Sequence, residues 1–138
     1  MKKILLISLA SLMLSGCGDE NSELIENYLN TTSYVKNDGW KVDDINKINT
    51  GYYVDIKMNS KYEASYKFMY ALSRSSREGS ENLEALHRRF LKDMCPRIKT
   101  KEGKAFWDKI KIDYFMLNIT VDGKLINFDN TDCGRDTL

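Results

Sequence analysis

Few side chains in this sequence could do chemistry. There are three cysteines, Cys17, Cys95 and Cys133, and a single histidine, His87. A nucleophilic site needs a base held beside a serine or cysteine, and a third group to orient that base. His87 stands in Leu86-His87-Arg88-Arg89 and reads as a residue on a helix surface. The carboxylate pairs Asp43-Asp44 and Asp129/Asp132 adjoin turn-forming residues, where aspartate caps and bends chains. Cys95 and Cys133 are 38 residues apart, far from Cys-x-x-Cys spacing, and one histidine cannot complete a metal set. No glycine-rich phosphate loop is present. The sequence therefore predicts no catalytic residues and no metal site. The protein reads as a non-enzyme.

Cys17 stands apart. Lys2 and Lys3 precede an apolar run from Ile4 to Leu14, and Leu14-Ser15-Gly16-Cys17 follows. That layout is a secretory signal peptide, and the residues before the cysteine resemble the lipobox of bacterial lipoproteins. An apolar helix of 11 residues is about 16 Å long, too short for a hydrocarbon core of roughly 30 Å. Residues 1–16 are thus expected to be a signal peptide, 17–21 the lipidated cysteine and a tether, and 22–138 a single domain. The lipid on Cys17 is the only non-protein group expected. One acyl chain holds a protein marginally and two or more hold it firmly, so the lipobox implies firm attachment. Gly18 follows the cysteine where an aspartate would favour retention at the inner membrane. The expected location is the outer membrane, facing the periplasm.

Removing residues 1–16 leaves 122, the size of one domain. Without Lys2 and Lys3, 19 basic side chains face 20 acidic ones. Such a balance gives no electrostatic pull toward nucleic acid. Arg88-Arg89-Phe90-Leu91-Lys92 looks basic, but Glu81, Glu84 and Asp93 flank it, so it reads as a solvated helix face. With Cys17 assigned to lipid, Cys95 and Cys133 remain as the only possible intramolecular pair in an oxidising compartment. A structural disulfide is expected, in a monomer.

Hydropathy patterning predicts an α+β fold: a mainly antiparallel sheet of four to five strands packed with an N-terminal helix, a long middle helix and a short one. Ser22 caps the first helix, with Leu24, Ile25, Tyr28 and Leu29 on one stripe. A short strand opens at Gly39, carrying Trp40 and Val42. A stronger one covers Gly51 to Met58, with Tyr52, Val54, Ile56 and Met58 on one face. Tyr62, Ala64, Tyr66, Phe68, Tyr70 and Leu72 alternate strictly, so Lys61 to Ser73 reads as a strand in preference to a helix. Ser80 caps the long helix, whose Leu83, Leu86, Phe90 and Met94 face inward, and Pro96 stops it. A short helix covers Gly103 to Ile110. The last hairpin turns at Asp122-Gly123, pairing Val121 with Lys124, Ile119 with Ile126 and Leu117 with Phe128. Phe115, Leu117, Ile119 and Val121 then share the core face.

The opposite face of that hairpin carries Ile112, Tyr114 and Met116, and alternation adds Tyr53 and Met69 from neighbouring strands. Tyr53, Met69, Tyr114 and Met116 are the candidate lining of a groove for an amphipathic partner helix.

Phe90-Leu91-Lys92-Asp93-Met94-Cys95, a short helix, a Tyr-centred strand, a turn and Asp129-Asn130-Thr131-Asp132-Cys133-Gly134 follow one another. This order, with the lipobox, resembles the small disulfide-containing pilotins of type II secretion in vibrios and enteric bacteria. The resemblance is best over Leu83 to Gly134 and departs at Lys61 to Ser80, which is longer and far more aromatic. It implies a lipoprotein that binds a C-terminal segment of the secretin subunit as a helix, carries it to the outer membrane and promotes assembly of the secretin ring. Two other classes compete. A periplasmic inhibitor of an enzyme such as a lysozyme would be low in helix, and a structural lipoprotein of another envelope or conjugation complex would differ in its genetic neighbours.

Overall fold

A computed structural model describes residues 19–49, 51–121, 124–126 and 132–135. Cys17, the Asp122-Gly123 turn, Phe128 and Asp129 lie outside them. The fold is mixed helix and sheet with one disulfide, as the patterning predicts.

The first helix, α1, spans Glu20–Leu29. Its cap is Asp19, not Ser22: the Asp19 carboxylate accepts from the Ser22 backbone N–H at 2.9 Å. The same carboxylate accepts from the Tyr52 hydroxyl at 2.5 Å and pairs with the Lys47 ammonium at 3.2 Å. The tyrosine hydrogen bond, chiefly, holds the Asp19 carboxyl well below the usual range. A single turn, α2 (Ser33–Lys36), follows and buries Tyr34. Gly39 then adopts φ 72°, a left-handed turn that feeds Trp40 into the core.

Strands β1 (Lys41–Ile48) and β2 (Gly51–Lys57) form an antiparallel hairpin. Two helices come next, α3 (Ser60–Ser73) and α4 (Arg77–Met94), then α5 (Lys101–Lys109). Strand β3 (Tyr114–Val121) lies parallel to β2, with Tyr53 opposite Met116 and Lys57 opposite Thr120. A parallel neighbour needs a long crossover, and α3, α4 and α5 supply it. The free edge of β3 is shared: β4 (Lys124–Ile126) pairs with one half and β5 (Asp132–Gly134) with the other, both antiparallel. Val121 pairs with Lys124 and Ile119 with Ile126, the register an Asp-Gly turn dictates.

Lys61 to Ser73 is helix, not strand. Asn59 caps it, its side-chain oxygen accepting from the Tyr62 N–H at 2.9 Å. Tyr62, Tyr66 and Met69 then form a stripe at helical spacing that packs inward, and this outweighs the period-two pattern. The long helix starts earlier than Ser80, with Ser76 as its cap.

One face of the sheet is the core. Val54, Ile56, Phe115, Leu117 and Ile119 are fully buried there, with Val121 nearly so. Ile25, Leu29, Met94, Phe106 and Trp107 complete the cluster from the helices. Removing one such side chain from water contributes about 1.5–3 kcal/mol. Cys95, directly after α4, is bonded to Cys133 in β5 with the Cα atoms 5.1 Å apart. The crosslink ties the end of the long helix to the sheet.

Candidate partner-binding surfaces

Helices α3 and α4 are antiparallel neighbours joined by a short turn. Gly79 allows their close approach, because a Cβ there would come within 2.5 Å of the Leu72 carbonyl oxygen. At the base of this helical hairpin, the rings of Tyr34, Trp40, Tyr62 and Phe90 gather with centroids 4.7 to 5.9 Å apart. Most of these pairs are edge-on, the geometry aromatic quadrupoles favour. Asp38 fastens the cluster to α3: its carboxylate accepts from the Tyr62 hydroxyl at 3.1 Å, and its carbonyl accepts from the Asn59 amide.

Between α3, α4 and the Asn37-Asp38 loop lies a cleft of about 390 Å³. Tyr62, Tyr66, Met69, Leu86 and Phe90 form its walls, and Asp38, Asn59 and Lys61 its rim. An apolar floor with a few polar groups at the edge suits anchor side chains from a peptide. Tyr66, one wall of the cleft, also belongs to a polar pair between α3 and α4. Tyr66 and His87 stack, and the Tyr66 hydroxyl lies 3.1 Å from His87 Nε2. Burial pushes the Tyr66 hydroxyl up to about 12, with Tyr70 adding to it, and lowers His87 to about 4. His87 is therefore a half-buried packing residue and not the surface residue the sequence predicts.

This pair sets a pH dependence. Between pH 6.5 and about 4 an unfolded chain binds a proton at His87 that the folded one refuses, so stability falls as pH falls through that window. Allowing for its partial exposure, the loss is about 1–2 kcal/mol. Asp19 acts lower: its stabilisation is present above its ordinary value of 3.8 and is lost as pH falls below it. Denaturation midpoints measured across pH 4–7 should decline for the wild type and flatten in His87→Gln. A parallel decline in the variant assigns the effect elsewhere.

Of the four groove residues expected from sequence, three come together and one does not. Tyr53 and Met116 are cross-strand partners, and Tyr114 lies two residues before Met116 on the same face, its ring against Gly51. This face is opposite the core, half-buried, and turns polar where the Asn118 amide donates to Asp55 at 2.9 Å. Met69 is on α3, in the cleft, because 61–73 is helical. Ile112, also expected on the outer face, precedes β3 and packs against the core. Sequence reasoning missed Asp38, Leu86 and Phe90 as cleft residues. One signal was available: Asn59, directly before the 60–73 segment, is a residue type that caps helices.

Among the described residues, no group of three His, Cys, Asp or Glu side chains could hold a metal ion. No helix among them is long and apolar enough to cross a membrane. No family model, no curated protein and no solved structure matches this chain.

Proposed function

We propose that this protein is a non-enzymatic, lipid-anchored carrier at the outer membrane that binds a C-terminal segment of a secretin subunit as a helix. The carrying observation is the cleft between α3 and α4. Its aromatic and methionine walls suit the anchor side chains that an amphipathic helix projects at i and i+4. Its volume of about 390 Å³ accepts such anchors while the rest of a helix lies across the rim. The lipobox at Cys17 supplies the address, and the likeness to pilotins supplies the class of partner.

Titrating a labelled secretin C-terminal peptide into the full-length protein tests this reading. The peptide should gain helicity on binding, seen by circular dichroism. Met69→Ala with Leu86→Ala should weaken binding tenfold or more, the effect of losing about 1.4 kcal/mol or more at a binding hot spot. Tyr114→Ala, on the far side of the sheet, should leave affinity unchanged. Loss of affinity in Tyr114→Ala alone moves the seat to the outer sheet face. No binding at high micromolar peptide sinks the secretin reading.

The anchor has its own test. Cys17→Ser should abolish fractionation with membranes and incorporation of radioactive palmitate. Persistent labelling in that variant removes the lipid from Cys17.

A further inference from the structure

The polar stretch after Cys17, expected as a tether, is largely built into the domain. Asp19 caps α1, and Glu20 and Asn21 lie in its first turn. Each of the three is also bonded to a distant part of the chain. The Tyr52 hydroxyl donates to the Asp19 carboxylate at 2.5 Å, and the Lys47 ammonium lies 3.2 Å from it. The Lys111 backbone N–H donates to the Asn21 side-chain oxygen at 3.2 Å, and the Lys111 ammonium lies 3.4 Å from Glu20. Only Gly18 separates Cys17 from a residue that the fold fixes.

These bonds mark one end of the sheet. Lys47 and Tyr52 are cross-strand partners beside the β1–β2 turn, and Lys111 leads into β3. β3 runs parallel to β2 and starts at the same end, with Tyr53 opposite Met116. The rim of the cleft is at the other end. Lys41 pairs with Lys57 there, Asp38 precedes that pair and Asn59 follows it, and the Asn59 amide donates to the Asp38 carbonyl. From Tyr52 to Lys57 the strand spans about 17 Å.

Chain geometry then limits how the domain can stand on a membrane. Two residues, from Cys17 to Asp19, reach about 7 Å at most. That is no longer than one headgroup layer, roughly 5–7 Å thick, while a small domain is about 30 Å across. A domain on so short a stem cannot turn its far end to the bilayer. We infer that the β1–β2 turn and the start of β3 rest on the lipid headgroups, held there by the short tether, with the Asp38–Asn59 rim facing away. The carboxylates nearest the tether suit such a surface. Lys47 and Lys111 neutralise Asp19 and Glu20, which phosphates would otherwise repel. This orientation rests on the lipid reading of Cys17. It presents the cleft rim to the periplasm, where a partner segment reaches it without entering the headgroup layer.

Quenching by position tests it, with the full-length protein purified from membranes and its acyl chains verified by mass. A fluorophore is attached through Asn49→Cys, after β1, through Asp113→Cys, before β3, or through Lys57→Cys, at the far end of β2. All three positions are exposed, and each labelled chain should keep the wild-type thermal midpoint. The chains are placed in phosphatidylethanolamine–phosphatidylglycerol vesicles containing lipids with a nitroxide on the headgroup. Labels at positions 49 and 113 should lose most of their emission, and the label at position 57 should keep it. A Gly-Ser spacer of about 20 residues after Gly18, roughly 25 Å in mean span, should restore emission at 49 and 113. Equal quenching at all three positions, or stronger quenching at 57, overturns the orientation. Quenching at 49 and 113 that the spacer leaves unchanged overturns the tether as its cause. A purified chain without acyl chains sinks the lipid reading and this inference together, whereas an acylated chain quenched uniformly sinks the orientation alone.

Discussion

Replacing both Cys95 and Cys133 with serine is expected to lower stability by about 2–5 kcal/mol. The bridge closes a separation of 38 residues, for which chain entropy alone predicts about 4 kcal/mol, a model-dependent figure. Against a total of roughly 5–15 kcal/mol for an ordinary domain, the loss is large. The structure explains why the site is sensitive. β5 is three residues long, and beyond its pairing with β3 the bridge is what joins it to α4. Both cysteines are buried, so alkylation of native protein should modify neither until a reductant is added. Urea denaturation of oxidised and reduced wild type gives the same comparison without mutation. Coincident midpoints in the two states would mean that the crosslink carries no stability.

Trp107→Ala should cost as much, about 3–5 kcal/mol. Trp107 is fully buried and touches three separate parts of the fold. Its ring packs near Phe115 of β3, centroids 6.3 Å apart, and its indole N–H donates to the Pro96 carbonyl at 2.7 Å. Arg135, just past β5, lies 5.7 Å over the ring and donates to the Trp107 carbonyl at 2.9 Å. Trp107→Phe separates the contributions. It keeps most of the packing and leaves the Pro96 carbonyl unpaired, at about 1–3 kcal/mol. With only two tryptophans in the chain, Trp40 remains as the sole tryptophan reporter in either variant. A change within about 0.5 kcal/mol in Trp107→Ala, the range of surface substitutions, would mean that α5 is not docked as described.

The parts of the fold readable from sequence are those that local signals determine. The last hairpin was readable because an Asp-Gly turn fixes register by itself, and α4 because Leu83, Phe90 and Met94 keep helical spacing up to a proline. The α3 segment was not. Its residues satisfy both periods, and what decides between them is outside it: Asp38, the aromatic cluster and α4 offer a surface for one helical stripe. The cost of that choice is visible as Phe68 and Leu72 left on the outside. The parallel pairing of β2 with β3 was equally beyond reach, since no spacing within either strand encodes which neighbour it takes. The candidate site suffered accordingly. Tyr53, Tyr114 and Met116 share a face because they are on strands correctly read, and Met69 was misplaced with the helix that carries it.

β3 has a role in assembly that its position in the sheet implies. Among the described residues, every strand pairing other than that of the β1–β2 hairpin includes β3. The β1–β2 hairpin and the α3–α4 hairpin are each local in sequence and can form early. β3 must instead close a loop of more than fifty residues to reach β2, so contact order rather than stability should set the folding rate. Until it seats, β2 has an open edge and a row of valine, isoleucine and tyrosine side chains in water. The slow step and the most aggregation-prone interval therefore coincide. Substitutions in β3 should be felt as lower yield of soluble chain before they are felt as a lower melting temperature.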